Sequence, residues 1–581
     1  MASDELAEVE IRWDVRVPMR DDVTLSATLY RPEASAPNAV IFALTPYVAD
    51  HLHDRGMYFA ARGLPFVAVD CRGRGNSNGE FWPYRTDAQD GYDVVKWLVS
   101  QPFCNGQVAM YGGSYFGYTQ WVIAAEQPQG LRTIVPTAAP FIGLDVPMPK
   151  NIFSPYFLRW LSIVGGRTAQ PKLFADERFW TSRYRKWLES GLSFRDAGRV
   201  IGLPSAIFQE WLDHPSPDSY WESKNPSTEQ YRRLEIPVLT ITGIYDGDQL
   251  GALEHYRRHI AHASPETRKL HYLVIGPWNH AGCGAPVAEF DGLKIDRAGV
   301  IDMFRLHYEW YRWVLQGRAK PTLLKRNVAY YVTGAERWQY ADDLQAVTVG
   351  TQTLYFYSKS NPTDIYASGA LRSTPPEQSG PDHFRYDPLD TSLATLETTL
   401  EVSDRTDQRL LHAAIGHHLI YHSAPFDQDT EISGFFKLNA WISLDQLDTD
   451  LRARVYEIDR QGRSVELTSD YVRARYRGGL YAERLVEPNA VTEYEFSGFP
   501  FVSRLIRKGC RLRLVLGPSN SIHDERNFNS GGVVADEAHR DARVVTVTLF
   551  HDQNYPSALF RPIGAGPAAD EGGESDCSPS Q

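Results

Sequence analysis

Cysteine is scarce in this chain of 581 residues, and its thiols follow neither a disulfide framework nor the spacing of a zinc site. The five cysteines stand far apart, at Cys71, Cys104, Cys283, Cys510 and Cys577. Because disulfides are typical of oxidising compartments, their absence from the pattern favours a reducing, cytoplasmic location.

Long apolar runs are also missing. No stretch approaches the roughly 18 consecutive apolar residues that a membrane-spanning helix needs, so we expect no membrane association. Residues 1–10 are acidic and have no apolar centre, which predicts no secretory signal.

Positive charge is in deficit, with 60 lysines and arginines against 72 acidic residues and a net charge of −12. No basic run compensates for this deficit, so nucleic acid is excluded as a partner. The hydrophobic content of 43% is typical of a globular protein, and the length predicts about three or four domains.

Strand and helix patterns alternate in the first quarter of the chain. Residues 9–17 and 23–30 predict an antiparallel hairpin. Continuous apolar runs at 39–44, 64–69 and 131–136 are typical of strands buried on both faces, and residues 87–100 have helical periodicity. This alternation predicts a parallel sheet with helices on both faces.

The periodicity changes twice further along the chain. Residues 147–225 are helical with almost no strand, and we interpret most of their tryptophans as core residues. Strand–helix alternation then resumes at 236–244, 250–263, 270–275 and 301–315. From residue 347 the period is two, as in an antiparallel sandwich or jelly roll.

We therefore predict an α/β fold with five parts. They are the first part of an α/β domain at 1–145, a helical cap at 146–235, the second part of the α/β domain at 236–346, a jelly-roll β-sandwich at 347–562 and a disordered tail at 563–581.

The segment Gly112-Gly113-Ser114-Tyr115-Phe116-Gly117 joins an apolar strand pattern to a helix pattern. Small residues are needed where a strand turns sharply into a helix, and the residue at the bend then stands clear of the sheet. The segment departs from the G-x-S-x-G elbow because its last glycine comes one residue late. A Gly-Gly-Ser run is more often an ordinary turn, so this motif needs support from elsewhere.

A second glycine-rich segment, residues 72–79, follows a predicted strand. Its spacing is G-x-G-x-x-x-G and no helix pattern begins on it, so we do not interpret it as a dinucleotide-binding loop.

Two further strand ends carry polar residues, Asp246 and His280. Ligands of an open parallel sheet bind at the carboxyl ends of its strands, where these two residues and Ser114 would meet. The order Ser…Asp…His predicts a nucleophile, an orienting acid and a base. The Tyr115 backbone N–H and the Tyr47 hydroxyl are the candidate oxyanion donors.

Six segments resemble the motifs of the bacterial cocaine esterase and X-Pro dipeptidyl-peptidase family, which includes α-amino acid ester hydrolases. They are Val17-Pro18-Met19-Arg20-Asp21, Thr45-Pro46-Tyr47, Asp70-Cys71-Arg72-Gly73-Arg74-Gly75, Gly112-Gly113-Ser114-Tyr115, Tyr245-Asp246-Gly247 and Gly276-Pro277-Trp278-Asn279-His280. The similarity covers nearly the whole chain.

This resemblance implies an α/β-hydrolase domain with a helical cap and a jelly roll. It implies a serine hydrolase that acts on esters, amides or X-Pro peptide bonds and needs no metal or other cofactor. It also assigns the oxyanion roles to Tyr47 and Tyr115. One departure is Asp22, which stands where the family usually has glycine.

Asp248 offers a clue to the substrate. By resemblance it occupies a place in the carboxylate cluster that holds a substrate ammonium in α-amino acid ester hydrolases. We predict that Asp248, together with Asp145, favours substrates that carry a free amine or another cation. The alternative is that Asp248 caps the helix that begins near Leu250. We also expect Phe116 and Trp160 to line the substrate pocket.

Three alternatives stay open. The chain could release X-Pro dipeptides, or it could be a non-catalytic binding protein on a hydrolase fold, against which the intact triad argues. His255, His259 and His262 share one helical face, which we interpret as a solvated surface rather than a metal site.

The expected partner is a small molecule or short peptide, and a homodimer is permitted.

Overall fold

The computed structural model describes residues 6–33, 36–376, 378–400 and 404–566. The chain begins with strands and helices in near alternation. They are β1 (Val9–Pro18), β2 (Thr24–Pro32), β3 (Asn38–Thr45), α1 (His53–Ala60), β4 (Phe66–Asp70), α2 (Asp87–Val99), β5 (Cys104–Gly113), α3 (Tyr115–Ala125) and β6 (Leu131–Thr137).

A group of helices then interrupts the strands, as the periodicity predicts. They are α4 (Tyr156–Ile163), α5 (Pro171–Phe174), α6 (Glu177–Ser190), α7 (Ala197–Ile201), α8 (Ala206–Leu212), α9 (Ser219–Glu222) and α10 (Thr228–Arg233). Local capping defines several of them: Asp176 and Ser205 cap α6 and α8, and Gly191 ends α6 in the left-handed conformation. The tryptophans of these helices are buried, which confirms their interpretation as core residues.

The strand–helix pattern resumes after this insertion. Its elements are β7 (Val238–Tyr245), α11 (Gln249–His262), α12 (Pro265–Arg268), β8 (His271–Asn279), β9 (Glu289–Phe290), β10 (Leu293–Lys294), α13 (Met303–Gln316), β11 (Val328–Val332) and β12 (Arg337–Ala341). The sequence patterns did not predict β11 and β12, which extend the first sheet beyond β8.

The described part of the first sheet has ten strands in the order β1-β2-β4-β3-β5-β6-β7-β8-β11-β12. The hairpin of β1 and β2 is antiparallel, as predicted, whereas β3 and β5 to β8 pair in parallel. Every residue of β7 is buried, which agrees with a strand covered on both faces. The parallel direction places the carboxyl ends of β3, β5, β7 and β8 at one edge.

The last part of the described chain is mostly strand. Its elements are β13 (Thr348–Tyr357), β14 (Gly369–Arg372), β15 (Asp382–Tyr386), α14 (Ser392–Glu397), α15 (Arg409–Ala413), β16 (Leu419–Ser423), β17 (Thr430–Gly434), β18 (Lys437–Leu444), β19 (Asp450–Ile458), β20 (Ser464–Arg473), β21 (Thr492–Phe496), β22 (Val502–Ile506), β23 (Arg511–Pro518), β24 (Val545–Phe550) and β25 (Ala558–Gly564).

These strands have their own hydrophobic core. Residues 431–444, within the predicted period-two region, fall in two strands, β17 and β18, which belong to different sheets. Strand β25 reaches Gly564 and so includes the first residues of the predicted tail, while residues 567–581 lie outside the described part of the chain. The predicted limits between the five parts stay predictions.

The sandwich packs against both the sheet and the inserted helices. Gln249, at the start of α11, accepts a hydrogen bond from the Phe501 N–H at 2.6 Å and donates one to the Phe501 carbonyl at 3.2 Å. The Ser154 hydroxyl, just before α4, donates to the His523 carbonyl at 2.8 Å. None of the described helices has the length and apolar character needed to cross a lipid bilayer.

Candidate active site

Ser114 lies in the sharp turn between β5 and α3 and has φ 59° and ψ −130°. A non-glycine residue with this backbone conformation is strained. Its N–H donates to the Thr137 carbonyl at 3.0 Å, and its own carbonyl accepts from the Gly117 N–H at 2.8 Å. These contacts hold the serine at the bend, as the elbow interpretation predicts.

The late glycine of the elbow has a structural reason. A Cβ on Gly117 would lie 2.6 Å from the Thr137 carbonyl oxygen, so α3 can approach β6 only with glycine there. Phe116 occupies the usual glycine position, and its ring covers Gly112, where a Cβ would lie 1.9 Å from a ring carbon. The altered motif therefore keeps the close approach and adds an aromatic side chain to the site.

Asp246 follows β7 and His280 follows β8, and the structure brings them together. The Asp246 carboxylate is 5% exposed and lies 2.8 Å from His280 Nδ1. It also accepts from the Asp248 N–H at 3.0 Å and from the Thr242 hydroxyl at 2.8 Å. A carboxylate held by these donors requires the proton on Nδ1, which leaves Nε2 of the imidazole as the basic nitrogen.

Asp248 also faces the imidazole, with 3.8 Å between its carboxylate and His280 Nδ1. It stands at the N-terminal cap position of α11, yet its side chain makes no capping hydrogen bond there. The capping alternative for Asp248 is therefore wrong, and its carboxylate belongs to the site.

Asp145 completes a group of three carboxylates around the imidazole. Its side chain is 6% exposed and accepts from the Phe141 N–H at 2.9 Å and the Gly251 N–H at 2.7 Å. Burial and the charge of Asp248 raise the pKa of Asp145, and burial also raises the pKa of Asp248. Each of two neighbouring carboxylates makes ionisation of the other less favourable, so the pair forms a site suited to a cation.

The pKa of His280 reflects these neighbours. Burial alone would lower it, but the charges of Asp248 and Asp246 outweigh burial and raise the pKa to about 9. The side chain of His280 is 41% exposed, so the imidazole is open to the cleft.

Tyr47 lies just past β3, at the same edge of the sheet. Its hydroxyl accepts from the Trp160 indole N–H at 3.0 Å, and the Ser114 side chain is near enough to lower its pKa. Burial raises the pKa of Tyr47 to about 12, so the hydroxyl keeps its proton at neutral pH. The Phe116 ring packs edge-on against the Tyr47 ring, with centroids 6.1 Å apart.

Tyr115 presents only its backbone to the site. Its hydroxyl donates to Asp87 at 2.8 Å and accepts from the Tyr84 N–H at 3.0 Å, within the core. As the first residue of α3, its own N–H has no partner inside the helix. That N–H is therefore open to an external acceptor beside Ser114.

The site forms two connected groups, one around Tyr47 and Ser114 and the other around His280. The charge of Asp248 raises the pKa of Tyr47, so Asp248 and Tyr47 lie within electrostatic reach of each other. The described contacts include no hydrogen bond between Ser114 and His280. Such hydrogen bonds are often long in ligand-free enzymes and tighten when the substrate binds.

The interpretation of the α11 histidines as a solvated surface is wrong for His255 and His259, whereas His262 is partly exposed. His255 and His259 are fully buried; His255 lies 2.6 Å from the Tyr231 hydroxyl, and His259 lies 2.8 Å from His271 at the start of β8. Among the described residues, no group of three or more potential ligands is placed to hold a metal ion.

One contributor to the site was not foreseen from the sequence. Thr242 supports Asp246 from within β7, four residues earlier in the chain. The apolar run of β7 marks Thr242 only as a buried position.

The fold and this arrangement define a serine hydrolase of the α/β-hydrolase class. Residues 21–282 match the family model described as X-Pro dipeptidyl-peptidase (S15 family), and residues 323–559 match its C-terminal non-catalytic domain. The chain belongs to this family, which confirms the resemblance and argues against a non-catalytic binding protein.

Individual relatives agree with this assignment. The chain is 26% identical to the cocaine esterase of Rhodococcus sp. (strain MB1 Bresler), over 95% of this chain and 98% of the esterase. An α-amino acid ester hydrolase structure matches with a TM-score of 0.83 at 19% identity, over 97% of this chain and 98% of the other. An aminopeptidase from a marine sediment Thaumarchaeota archaeon matches with a TM-score of 0.82 at 21% identity, over 97% of both chains. These two structures show the shared fold.

Proposed function

We propose that this serine hydrolase cleaves an ester or amide bond whose acyl group carries a free amine. The observation that carries this proposal is the pair of carboxylates, Asp145 and Asp248, beside the imidazole of His280. An ammonium bound between them would relieve their mutual repulsion and supply the positive charge that two neighbouring carboxylates favour.

The proposed chemistry proceeds through an acyl-enzyme. Ser114 attacks the carbonyl carbon while His280 Nε2 takes the hydroxyl proton, and the imidazolium then gives that proton to the leaving group. Asp246 holds the imidazole through Nδ1 and stabilises its charged form. Water, activated by His280, then releases the acid from Ser114.

The proposed oxyanion hole consists of the Tyr47 hydroxyl and the Tyr115 N–H. Both donors lie beside Ser114: the Tyr47 hydroxyl is near enough for the Ser114 side chain to lower its pKa, and the Tyr115 N–H belongs to the next residue. Donors placed in advance stabilise the charge that develops on the carbonyl oxygen without reorganising during the reaction. Trp160 and Phe116 act on this hole through their contacts with Tyr47.

The test is a pair of esters that differ only in the amine, such as the methyl esters of phenylglycine and phenylacetic acid. We expect kcat/KM to be at least about tenfold higher for the amine-bearing ester, since one ion pair in a partly buried site is worth this much. Asp248→Asn should remove this preference by raising KM for the amine-bearing ester, whereas its effect on the pKa of His280 acts equally on both esters. Equal effects on the two esters would reject the ammonium site, and Ser114→Ala gives the background rate.

A second candidate is the release of X-Pro dipeptides, which the S15 family match favours. The same carboxylates would then bind the N-terminal ammonium of a peptide. Hydrolysis of a proline-containing dipeptidyl p-nitroanilide faster than a p-nitrophenyl ester of a simple amino acid would favour this candidate over the first.

The surroundings of the enzyme stay predictions. The four described cysteines are free and buried, which supports the proposed reducing, cytoplasmic location, while Cys577 lies outside the described residues. We retain a small molecule or short peptide as the substrate and a homodimer as a permitted state.

A further inference from the structure

The glycine-rich segment 72–79, which the sequence analysis did not interpret as a nucleotide site, has a buried arginine at its centre. Arg74 is 0% exposed. Its guanidinium donates to the carbonyl oxygens of Pro46 at 2.7 Å, Val164 at 2.7 Å and Ile163 at 3.1 Å, and also to that of Gly166. One side chain thus joins the loop after β3 to the residues that follow α4.

Removing the guanidinium of Arg74 from water costs solvation free energy. All four hydrogen-bond acceptors are neutral carbonyls, and burial lowers the pKa of Arg74. A cation buried without a directly hydrogen-bonded carboxylate is rarely a source of stability. Arginine is nevertheless suited to this place, because its planar group directs several N–H donors at fixed angles and a lysine ammonium does not.

Both segments that Arg74 joins are connected to Tyr47. Pro46 precedes Tyr47 in the chain, and α4 carries Trp160, whose indole N–H donates to the Tyr47 hydroxyl. The backbone of Tyr47 is therefore held through Pro46, and its hydroxyl is held through Trp160 of α4. Arg74 links these two segments to each other.

We propose that Arg74 is a positioning residue for the oxyanion hole, an inference that rests on the role proposed for Tyr47. It sets the distance between the Pro46–Tyr47 segment and α4, and so holds the Tyr47 hydroxyl where the oxyanion forms. The effect of such a residue falls on the transition state, because a donor displaced by about 1 Å loses most of its contribution.

The first experiment measures kcat and KM of Arg74→Lys with a neutral p-nitrophenyl ester. We expect kcat to fall by about tenfold to a hundredfold, with KM changed by less than about threefold, because ground-state binding does not use the oxyanion donor. The matched control is Arg167→Lys. Arg167 joins the residues after α4 to the glycine-rich segment instead, by donating to the Ser77 carbonyl at 2.7 Å, and among the described contacts it donates no hydrogen bond to the Pro46–Tyr47 segment. It should keep kcat within about twofold.

A double-mutant cycle with Tyr47→Phe separates positioning from general structural damage. If Arg74 acts through the Tyr47 hydroxyl, Arg74→Lys should change kcat by less than about twofold in the Tyr47→Phe protein. A kcat loss of the same size in both backgrounds would overturn the proposal for Arg74 alone. A Tyr47→Phe protein with wild-type kcat would instead reject the oxyanion role, and Arg74's role with it.

A milder variant covers the case in which Arg74→Lys does not fold. Gly166 has φ +72° with open space around it, so Gly166→Ala strains the backbone that presents one acceptor to Arg74 without creating a clash. We expect a kcat loss of about twofold to fivefold that disappears in the Tyr47→Phe background. Gly165→Ala, without the positive φ, is its control. A Gly166→Ala loss that persists without the Tyr47 hydroxyl would overturn the proposal.

Discussion

A single imidazole faces three carboxylates in this site, which is two more than a triad needs. The pKa of His280 is raised to about 9, chiefly by the charges of Asp248 and Asp246 acting against burial. A base with a raised pKa is protonated at neutral pH, so activity should rise with pH until the imidazole loses its proton.

Asp248→Asn should move the acidic limb of kcat/KM to lower pH, by about one unit. Removing a negative charge beside an imidazolium makes the charged form less stable, so the pKa of His280 falls and the base is free at lower pH. The measurement is the pH profile for a neutral ester, which avoids any effect on amine binding. Asp342→Asn, at an exposed position, should leave the limb in place, whereas an unmoved limb in Asp248→Asn would show that Asp248 does not act on His280.

An amine-bearing substrate should have a related effect in the wild-type enzyme. Its ammonium, bound between Asp145 and Asp248, would offset their charge, and the pKa of His280 would fall in the complex. We therefore expect the acidic limb of kcat, which reports the complex, at lower pH than that of kcat/KM, which reports the free enzyme. For the matched ester without an amine, the two limbs should coincide.

Asp22 shows a different residue-level effect. It stands where the family usually has glycine and has φ 64°, in the turn between β1 and β2. Because the left-handed conformation strains a side chain, Asp22→Gly should raise the free energy of unfolding by about 0.5–1 kcal/mol in urea denaturation. Asp21→Gly, which removes the ion pair with Arg72, should give no gain. A loss of stability in Asp22→Gly would contradict this account.

The sequence predicted where the candidate catalytic residues lie in the fold, because each one follows a strand. Local apolar runs mark where the strands before Ser114, Asp246 and His280 end. The contact of Trp160 with Tyr47 joins side chains 113 residues apart, and no local pattern encodes it. Asp248 had two interpretations, because an aspartate at this position is expected both for a helix cap and for a carboxylate cluster that binds a cation.

At the level of elements, the elbow between β5 and α3 depends on its glycines. Gly112→Ala should destabilise the protein by about 2 kcal/mol or more and reduce activity, because Gly112 has φ 145° and a Cβ would overlap the Phe116 ring. Phe116→Ala in the same chain should restore part of the stability by removing the ring. Thermal unfolding of the single and double variants tests this, and additive losses would mean that the ring is not the obstacle.

What sequence reasoning missed, the burial of two α11 histidines and the strands β11 and β12, has two physical causes. Helix α11 has a modest polar face, yet His255 and His259 are buried because the sheet and neighbouring segments cover them. Their polar atoms are hydrogen-bonded to groups far along the chain, and periodicity cannot anticipate such partners. The five-residue strands β11 and β12 are too short for a pattern to separate them from loops.

At the level of the whole molecule, Gln249 joins the α/β sheet to the sandwich. Its buried amide pairs with both backbone groups of Phe501 and also donates to the Gly243 carbonyl at 2.9 Å. Gln249→Met fills similar space but leaves these groups unpaired, so we expect a loss of about 2 kcal/mol or more. Gln461→Met, at an exposed turn, is the control. Unchanged thermal unfolding of Gln249→Met would show that this junction adds no stability.

The inserted helices are fastened to the sandwich at several separate points. Besides Ser154, Asn151 donates to the Leu480 carbonyl at 2.7 Å, the Glu525 N–H donates to the Phe153 carbonyl at 2.7 Å, and Arg195 pairs with Asp536. Inserted helices that are anchored to the sandwich at several points should not move away from the site as each substrate binds. The width of the entrance is then set when the chain folds, so we expect the enzyme to select acyl groups by their cross-section and to exclude folded proteins altogether.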